Sequence, residues 1–297
     1  MHEQTHYPAW KQACLMDDLR WLVSAPPLIQ GAQVTQLTLD FLGWDAAGFE
    51  AWLQQLTNPP RLANLLLSRR LGQYHEALWQ LLLEAAPAVE LVADHLAIRE
   101  LGRTLGELDF LYWHHPTQRL FHLEVAIKFY LGDPDAACEA EMWRGPASQD
   151  RLVIKAEQMQ QRQLALSCDP RAQSALQAVA GARLERLSHQ LVMPGVLFYP
   201  WSGQLASPQL AHPQHWRGHW MTRSDFTVWL AGAPPNFAAC LLHKPHWLAL
   251  PQQLVSASRL EQQLAQVSWP VQLAWRSEAG PVKRLFLVED GWPGQRA

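Results

Sequence analysis

The segment from Leu105 to Leu131, LGELDFLYWHHPTQRLFHLEVAIKFYL, constrains the fold more than any other part of the chain. It reads as two apolar strands joined by a polar turn at Pro116–Thr117. In the second strand Leu123, Val125, Ile127, Phe129 and Leu131 alternate with His122, Glu124, Ala126, Lys128 and Tyr130, so the two sets point to opposite faces of a sheet. In the first strand Glu107, Asp109 and Leu111 share a side. A turn centred on Pro116–Thr117 puts Asp109 across from Glu124, with Cβ atoms roughly 5 Å apart. Two carboxylates that close repel unless a proton or a cation lies between them. The expected occupant is a hard divalent cation such as Mg²⁺, because such ions prefer oxygen ligands. The competing reading is a cross-strand polar pair on a solvated face, for which the flanking LDFLYW and LEVAIKFYL are too apolar.

Composition narrows the classes. Of 297 residues, 48% are apolar and 17% charged, which describes a folded globular chain rather than a disordered one. A net charge of −3 argues against a broadly basic nucleic-acid binder but leaves room for a local basic groove. Cys14, Cys138, Cys168 and Cys240 are far apart and form no Cys-x-x-Cys pair, so neither a zinc site nor a disulfide framework is expected. The start MHEQTHYPAW has no basic segment leading into an apolar one, so no signal peptide is expected. No apolar run approaches membrane-spanning length, and a cytoplasmic location without membrane association is expected.

Along the chain, residues 8–23 read as an amphipathic helix with Trp10, Leu15, Leu19 and Leu22 near one face, stopped by Pro26–Pro27. Asp45 is placed to cap a short helix to about Leu56, and a longer helix follows from Arg61 to Ala85 with a break at Gly72. Leu96–Ile98 begins the strand region, and residues 132–149 form a turn-rich connection. Asp150 is placed to cap a helix to Leu166, and a second helix is expected over 171–191. Val196–Tyr199, Phe226–Leu230, Val271–Trp275 and Leu285–Val288 read as strands and Ala257–Val267 as a helix. The alternation implies an α/β fold, a mixed central sheet flanked by helices.

That order, with Gly106-Glu107-Leu108-Asp109 on one strand and Leu123-Glu124-Val125 on the next, resembles the PD-(D/E)XK phosphodiesterase superfamily. The resemblance implies a restriction-endonuclease-like core (α-β-β-β-α-β) over residues 61–200. An N-terminal helical extension over 1–60 and a C-terminal α+β extension over 201–297 would pack on it as one unit. It also implies one or two Mg²⁺ or Mn²⁺ ions, with Asp109 and Glu124 as metal ligands and Glu76 as the extra acidic residue some members carry on the preceding helix. LGQYHEALW, LGELDFLYW, HLEVAIKFYLG and WRGP followed by DRLVIK resemble, more closely, a bacterial family known as domain of unknown function 1853, which brings no established activity with it. One departure stands out: the lysine expected two residues after Glu124 is replaced by Ala126. Lys128 lies two positions further, its Cα roughly 13 Å from that of Glu124. Lys155 on the following helix is the other candidate for that catalytic role.

Further candidates are weaker. Glu107 joins the metal site or pairs with Arg103 or Lys128, and Glu76 also fits a solvated helix stripe. His122 contacts metal or substrate phosphate, or is a satisfied buried histidine. Lys155 and Arg162, seven apart, line a phosphate groove or a solvated face. The leading functional expectation is a Mg²⁺-dependent nuclease or other phosphodiesterase acting on DNA or RNA through a metal-activated water. The alternative is a catalytically inactive module binding nucleic acid or protein. A third reading is a structural carboxylate network with Lys128 and the arginines.

Overall fold

The computed structural model describes residues 9–56, 70–251, 253–277 and 280–294, with side chains from residue 13. Helix α1 (Ala9–Ser24) buries Leu15, Leu19 and Leu22 and ends before Pro26–Pro27. Trp10, expected on the same face, lies outside the described side chains. Thr38 caps α2 (Leu39–Leu42), and Asp45 caps α3 (Ala46–Gln55), its Oδ1 accepting from the Gly48 N–H at 2.7 Å. Of the longer helix expected next, residues 61–69 lie outside the described residues. Helix α4 (Leu71–Ala85) contains Gly72 in its first turn without a break and buries Tyr74, Leu78 and Leu82 at four-residue spacing.

Strands β1 (Val89–Glu100) and β2 (Arg103–His114) form a long antiparallel hairpin. Strand β3 (Arg119–Val125) adds antiparallel to β2, pairing Phe110 with Leu123 and His114 with Arg119. That is the register set by a turn centred on Pro116–Thr117. The expected single strand through Leu131 is instead two. After Ala126–Ile127 the chain continues as β4 (Lys128–Gly132) in a different sheet. The same happens beside it: β6 (Leu187–Val192), parallel to β3, passes through Met193–Pro194 into β7 (Gly195–Pro200), parallel to β4.

The register never slips across this bend. Leu120 faces Leu187, Val125 faces Val192, Lys128 faces Gly195 and Leu131 faces Phe198. Ala126 N–H donates to Val192 O at 3.0 Å and Lys128 N–H to Pro194 O at 3.3 Å, so the strand pair bends without separating. Pro194 has no N–H to give the ladder, which favours the bend there. Gly195 admits the crossing backbone: a Cβ on it would stand 1.9 Å from the Lys128 carbonyl oxygen.

Among the described residues the strands make two mixed sheets flanked by helices. The smaller runs β1-β2-β3-β6. The larger adds β5 (Trp143–Arg144), β8 (Trp216–Thr222), β9 (Ala238–Leu242), β10 (Val255–Ser256), β11 (Val271–Arg276) and β12 (Lys283–Val288), in the order β10-β9-β11-β12-β8-β7-β4-β5. Leu123, Val125, Ile127, Phe129 and Leu131 all enter one core with α1 and α4, whereas Ala126 and Tyr130 enter another, so the two-residue alternation persists through the bend.

Three expected elements are corrected. Asp150 caps nothing. After the short α5 (Glu139–Met142), helix α6 (Leu152–Glu157) starts from Arg151 and runs on as a π-turn over Gln158–Gln163 and a 3₁₀ turn over Leu164–Cys168. The buried anchors Leu152, Ala156, Met159 and Leu164 explain this: the last two are five apart, a spacing a π-turn accommodates. The helix expected over 171–191 stops as α7 (Gln173–Ala180), where Gly181 takes a φ of 54°. A 3₁₀ turn then leads into β6. Phe226–Leu230 lies in α8 (Arg223–Ala231), not a strand: Thr222 caps it, and Phe226 and Leu230, four apart, share its buried face. Helix α9 (Ala257–Leu264) falls within its expected range.

Candidate functional site

The carboxylates converge where the smaller sheet meets the bend. Glu124, on β3, is fully buried and Asp109, on β2, half-buried beside it. They grip each other's backbone: Val125 N–H donates to Asp109 Oδ2 at 2.9 Å, and Asp109 N–H to Glu124 Oε1 at 3.4 Å. Burial pushes the Asp109 carboxyl up to about 7, with the Glu124 charge adding to it. Burial also pushes Glu124 up to about 7. Glu76 reaches the same neighbourhood from α4 and is pushed up to about 6, by burial and then by Asp109. The helix, the second strand and the third strand thus each contribute one acid to a shared field.

Above them, the π-turn sets the phase of α6. Gln163 Nε2 donates to Glu124 Oε2 at 2.8 Å, and Lys155 Nζ donates to Gln163 Oε1 at 3.1 Å. The amide therefore bridges carboxylate and ammonium. Burial and then the Lys128 charge lower the Lys155 pKa, against the pull of Asp150, Asp109 and Glu124. The partner of Lys155 is eight residues on, not the seven expected for Arg162, because the wide turn inserts one residue. Arg162 is exposed, away from this contact.

Lys128 is not the cation at Glu124. It lies beyond the bend and pairs with Asp150 Oδ2 at 2.5 Å. Glu107 faces β1, opposite Ala97, and its Oε1 meets His95 Nδ1 at 3.1 Å, in place of the expected pairing with Arg103 or Lys128. His122 is fully buried and satisfied: Nε2 meets Glu124 Oε1 at 2.9 Å and Nδ1 meets Ser167 Oγ at 2.8 Å. Burial pushes it down to about 4, so it is neutral near pH 7. The Ser167 hydroxyl also meets His189 Nε2 at 2.9 Å.

Gln163, Ser167, His189 and His95 carry no sequence signal strong enough to single them out. Gln163 sits in the polar run QMQQRQ, and only the five-residue gap between Met159 and Leu164 hints at the turn that aims it. The cysteines are all free, as their spacing implied. Among the described residues no helix is long and apolar enough to cross a membrane.

Fold and site together define a mixed α/β protein with one buried acid, two half-buried acids and one lysine gathered at a sheet bend. The chain belongs to the family described as Domain of unknown function (DUF1853), whose model matches residues 17–287. Comparison with curated proteins and with solved structures returns no match.

Proposed function

We propose that this site is a Mg²⁺- or Mn²⁺-dependent phosphodiesterase centre acting on DNA or RNA, on a restriction-endonuclease-like core. The observation that carries the reading is the convergence of Glu76, Asp109 and Glu124 with Lys155, from separate elements, the three carboxyls pushed up to about 6 or 7. The order α4-β1-β2-β3-α6-β6 supports it. The donor set fits a hard cation, since all three groups offer oxygen and their mutual repulsion is relieved by positive charge. Among the described residues no three His, Cys, Asp or Glu side chains already stand grouped at ligand distance, so the acids would have to draw together on binding.

Asp109 and Glu124 would hold the ion, with Glu76 beside them. When bound, it supplies Lewis-acid polarisation of a phosphoryl oxygen and an acidified water. Gln163 orients Glu124 and hands Lys155 to the same place. Lys155, its pKa lowered, supplies the positive charge that Ala126 and the diverted Lys128 do not, where charge develops on phosphate. Neutral His122 bridges Glu124 and Ser167, fixing the carboxylate's rotamer.

The test is calorimetric titration of Mn²⁺ and Mg²⁺ into the wild type and Asp109→Ala, paired with cleavage assays on single- and double-stranded DNA and RNA. Heat and cleavage in the wild type, both lost in the variant, are expected. No heat and no cleavage in the wild type overturn the proposal. A second reading, a binding module without turnover, is favoured by one fact: both Glu124 oxygens already accept hydrogen bonds within the protein. Binding of nucleic acid without cleavage that persists in chelator and in Asp109→Ala but is weakened by Lys155→Ala selects it.

A further inference from the structure

A second charged region lies further along the large sheet, on β8 and β12, the two strands beyond β7. A cavity of about 780 Å³ opens where β8 and β12 begin, lined among others by Arg20, Trp21, Trp216, Arg217, Lys283 and Arg284. Its size is that of a small-molecule pocket. Because side chains alternate along a strand, these strand ends bring both sheet faces to it: Trp216 and Arg284 from one, Arg217 and Lys283 from the other.

Its charge is one-sided. Asp17, the carboxylate in the lining, is tied to Arg20 at 2.8 Å, and Arg20 also holds Glu50. Arg217, His219 and Lys283 pair with no carboxylate among the described residues. Each lies against a ring instead: Arg217 Cζ is 3.5 Å from the Tyr199 centroid, Lys283 Nζ is 5.6 Å from that of Trp275, and the His219 ring is 5.5 Å from that of Trp201. Arg284 is buried, its guanidinium donating to the Trp247 and Leu248 carbonyls and to Gln272 Oε1, with the buried Asp18 carboxylate in its field. Burial, Lys283 and Arg217 all lower the His219 pKa, which places these cations within each other's field. Beside them Trp216 is partly exposed and held edge-on by Trp21 at 5.1 Å.

Unneutralised cations beside an open indole recognise a phosphate joined to a flat ring. We propose that this cavity binds a nucleoside phosphate, free or within a single strand, with Arg217 and Lys283 on the phosphate and Trp216 against the base. The site is separate from the carboxylates and does not rest on the reading given for them.

The test is fluorescence titration in EDTA with AMP and with a labelled oligothymidylate of roughly 12 nucleotides. It uses wild type, Asp109→Ala, Lys283→Glu, and Arg217→Ala combined with Lys283→Ala. Lys283 is exposed, so its replacement keeps the test valid if loss of Arg217 from Tyr199 unfolds the protein. Wild type and Asp109→Ala should bind alike, with Lys283→Glu at least about tenfold weaker; for the oligonucleotide, the double variant should flatten the salt slope by roughly 1.4. AMP binding at comparable affinity marks a free nucleotide as ligand, and binding of the oligonucleotide alone marks a strand. If neither probe binds the wild type, or if Lys283→Glu binds as tightly as wild type, the proposal fails. Failure here leaves the metal titration above untouched, and failure there leaves this one standing.

Discussion

The carboxylate site and the C-terminal cavity both keep like charges close together, but they do so by different means. At the carboxylates, burial raises the pKa values, and hydrogen bonds from backbone, His122 and Gln163 hold the oxygens in place. At the cavity, Arg217 and Lys283 are exposed and lie against aromatic faces. The first region is therefore sensitive to protons and cations and the second to salt and anions. A bent strand pair joins the two: it leads from the small sheet that carries Asp109 and Glu124 into the large sheet, whose β8 and β12 line the cavity.

The comparison breaks most severely at the reaction, if the phosphodiesterase reading holds. Asp109→Asn should lower cleavage by on the order of 10³-fold with the fold intact, whereas Lys283→Glu should leave the turnover number of a short substrate unchanged. Equal loss in both variants would merge the two regions into one site. The next largest effect concerns the bend that joins them. Gly195→Ala forces a methyl against the Lys128 carbonyl and should cost about 3 kcal/mol or more in urea unfolding, where a harmless methyl would cost under about 1 kcal/mol.

The two lysines sharpen the comparison further. Lys155→Ala should reduce cleavage by about 10²-fold, while Lys128→Ala, which removes a partly exposed pair with Asp150, should cost about 0.5 kcal/mol of stability and little activity. The reverse pattern would return Lys128 to the catalytic role its place on the strand implied.

The last effect is in pH. The Asp109 pKa is raised on folding, so its favourable contribution is complete below the unfolded carboxylate value and is lost as pH rises through about 7. In metal-free buffer Asp109→Asn should therefore be more stable than wild type at pH 8, by about 1–3 kcal/mol, and lose that advantage towards pH 4. Mn²⁺ affinity should rise from pH 6 to 8 as the same protons leave. An advantage for the asparagine that does not vary with pH would show that Asp109 is ionised throughout.

Much of this was legible in the chain. Strict alternation around Glu124 and one polar turn determined the β2–β3 register, and hence the facing of Asp109 and Glu124, because a one-residue slip would invert every apolar side chain. The same alternation assigned Leu123, Val125, Ile127, Phe129 and Leu131 to one core even though the strand bends midway. Caps at Asp45 and the stop at Pro26–Pro27 are equally local. The misreadings lie where a pattern served two structures. SHQLV continued a helical period as readily as it made β6, and FTVWL alternated like a strand but followed a capping threonine.

What the tertiary structure alone decided is which groups meet. Sequence spacing sets the face on which a residue lies, since that follows from backbone geometry over a few residues. It does not set how two sheets share a bent strand pair, how a π-turn phases Gln163 against Glu124, or that Lys128 turns to Asp150 while Lys155 arrives from another element. Those depend on packing between segments far apart in the chain, where small displacements decide whether charges touch.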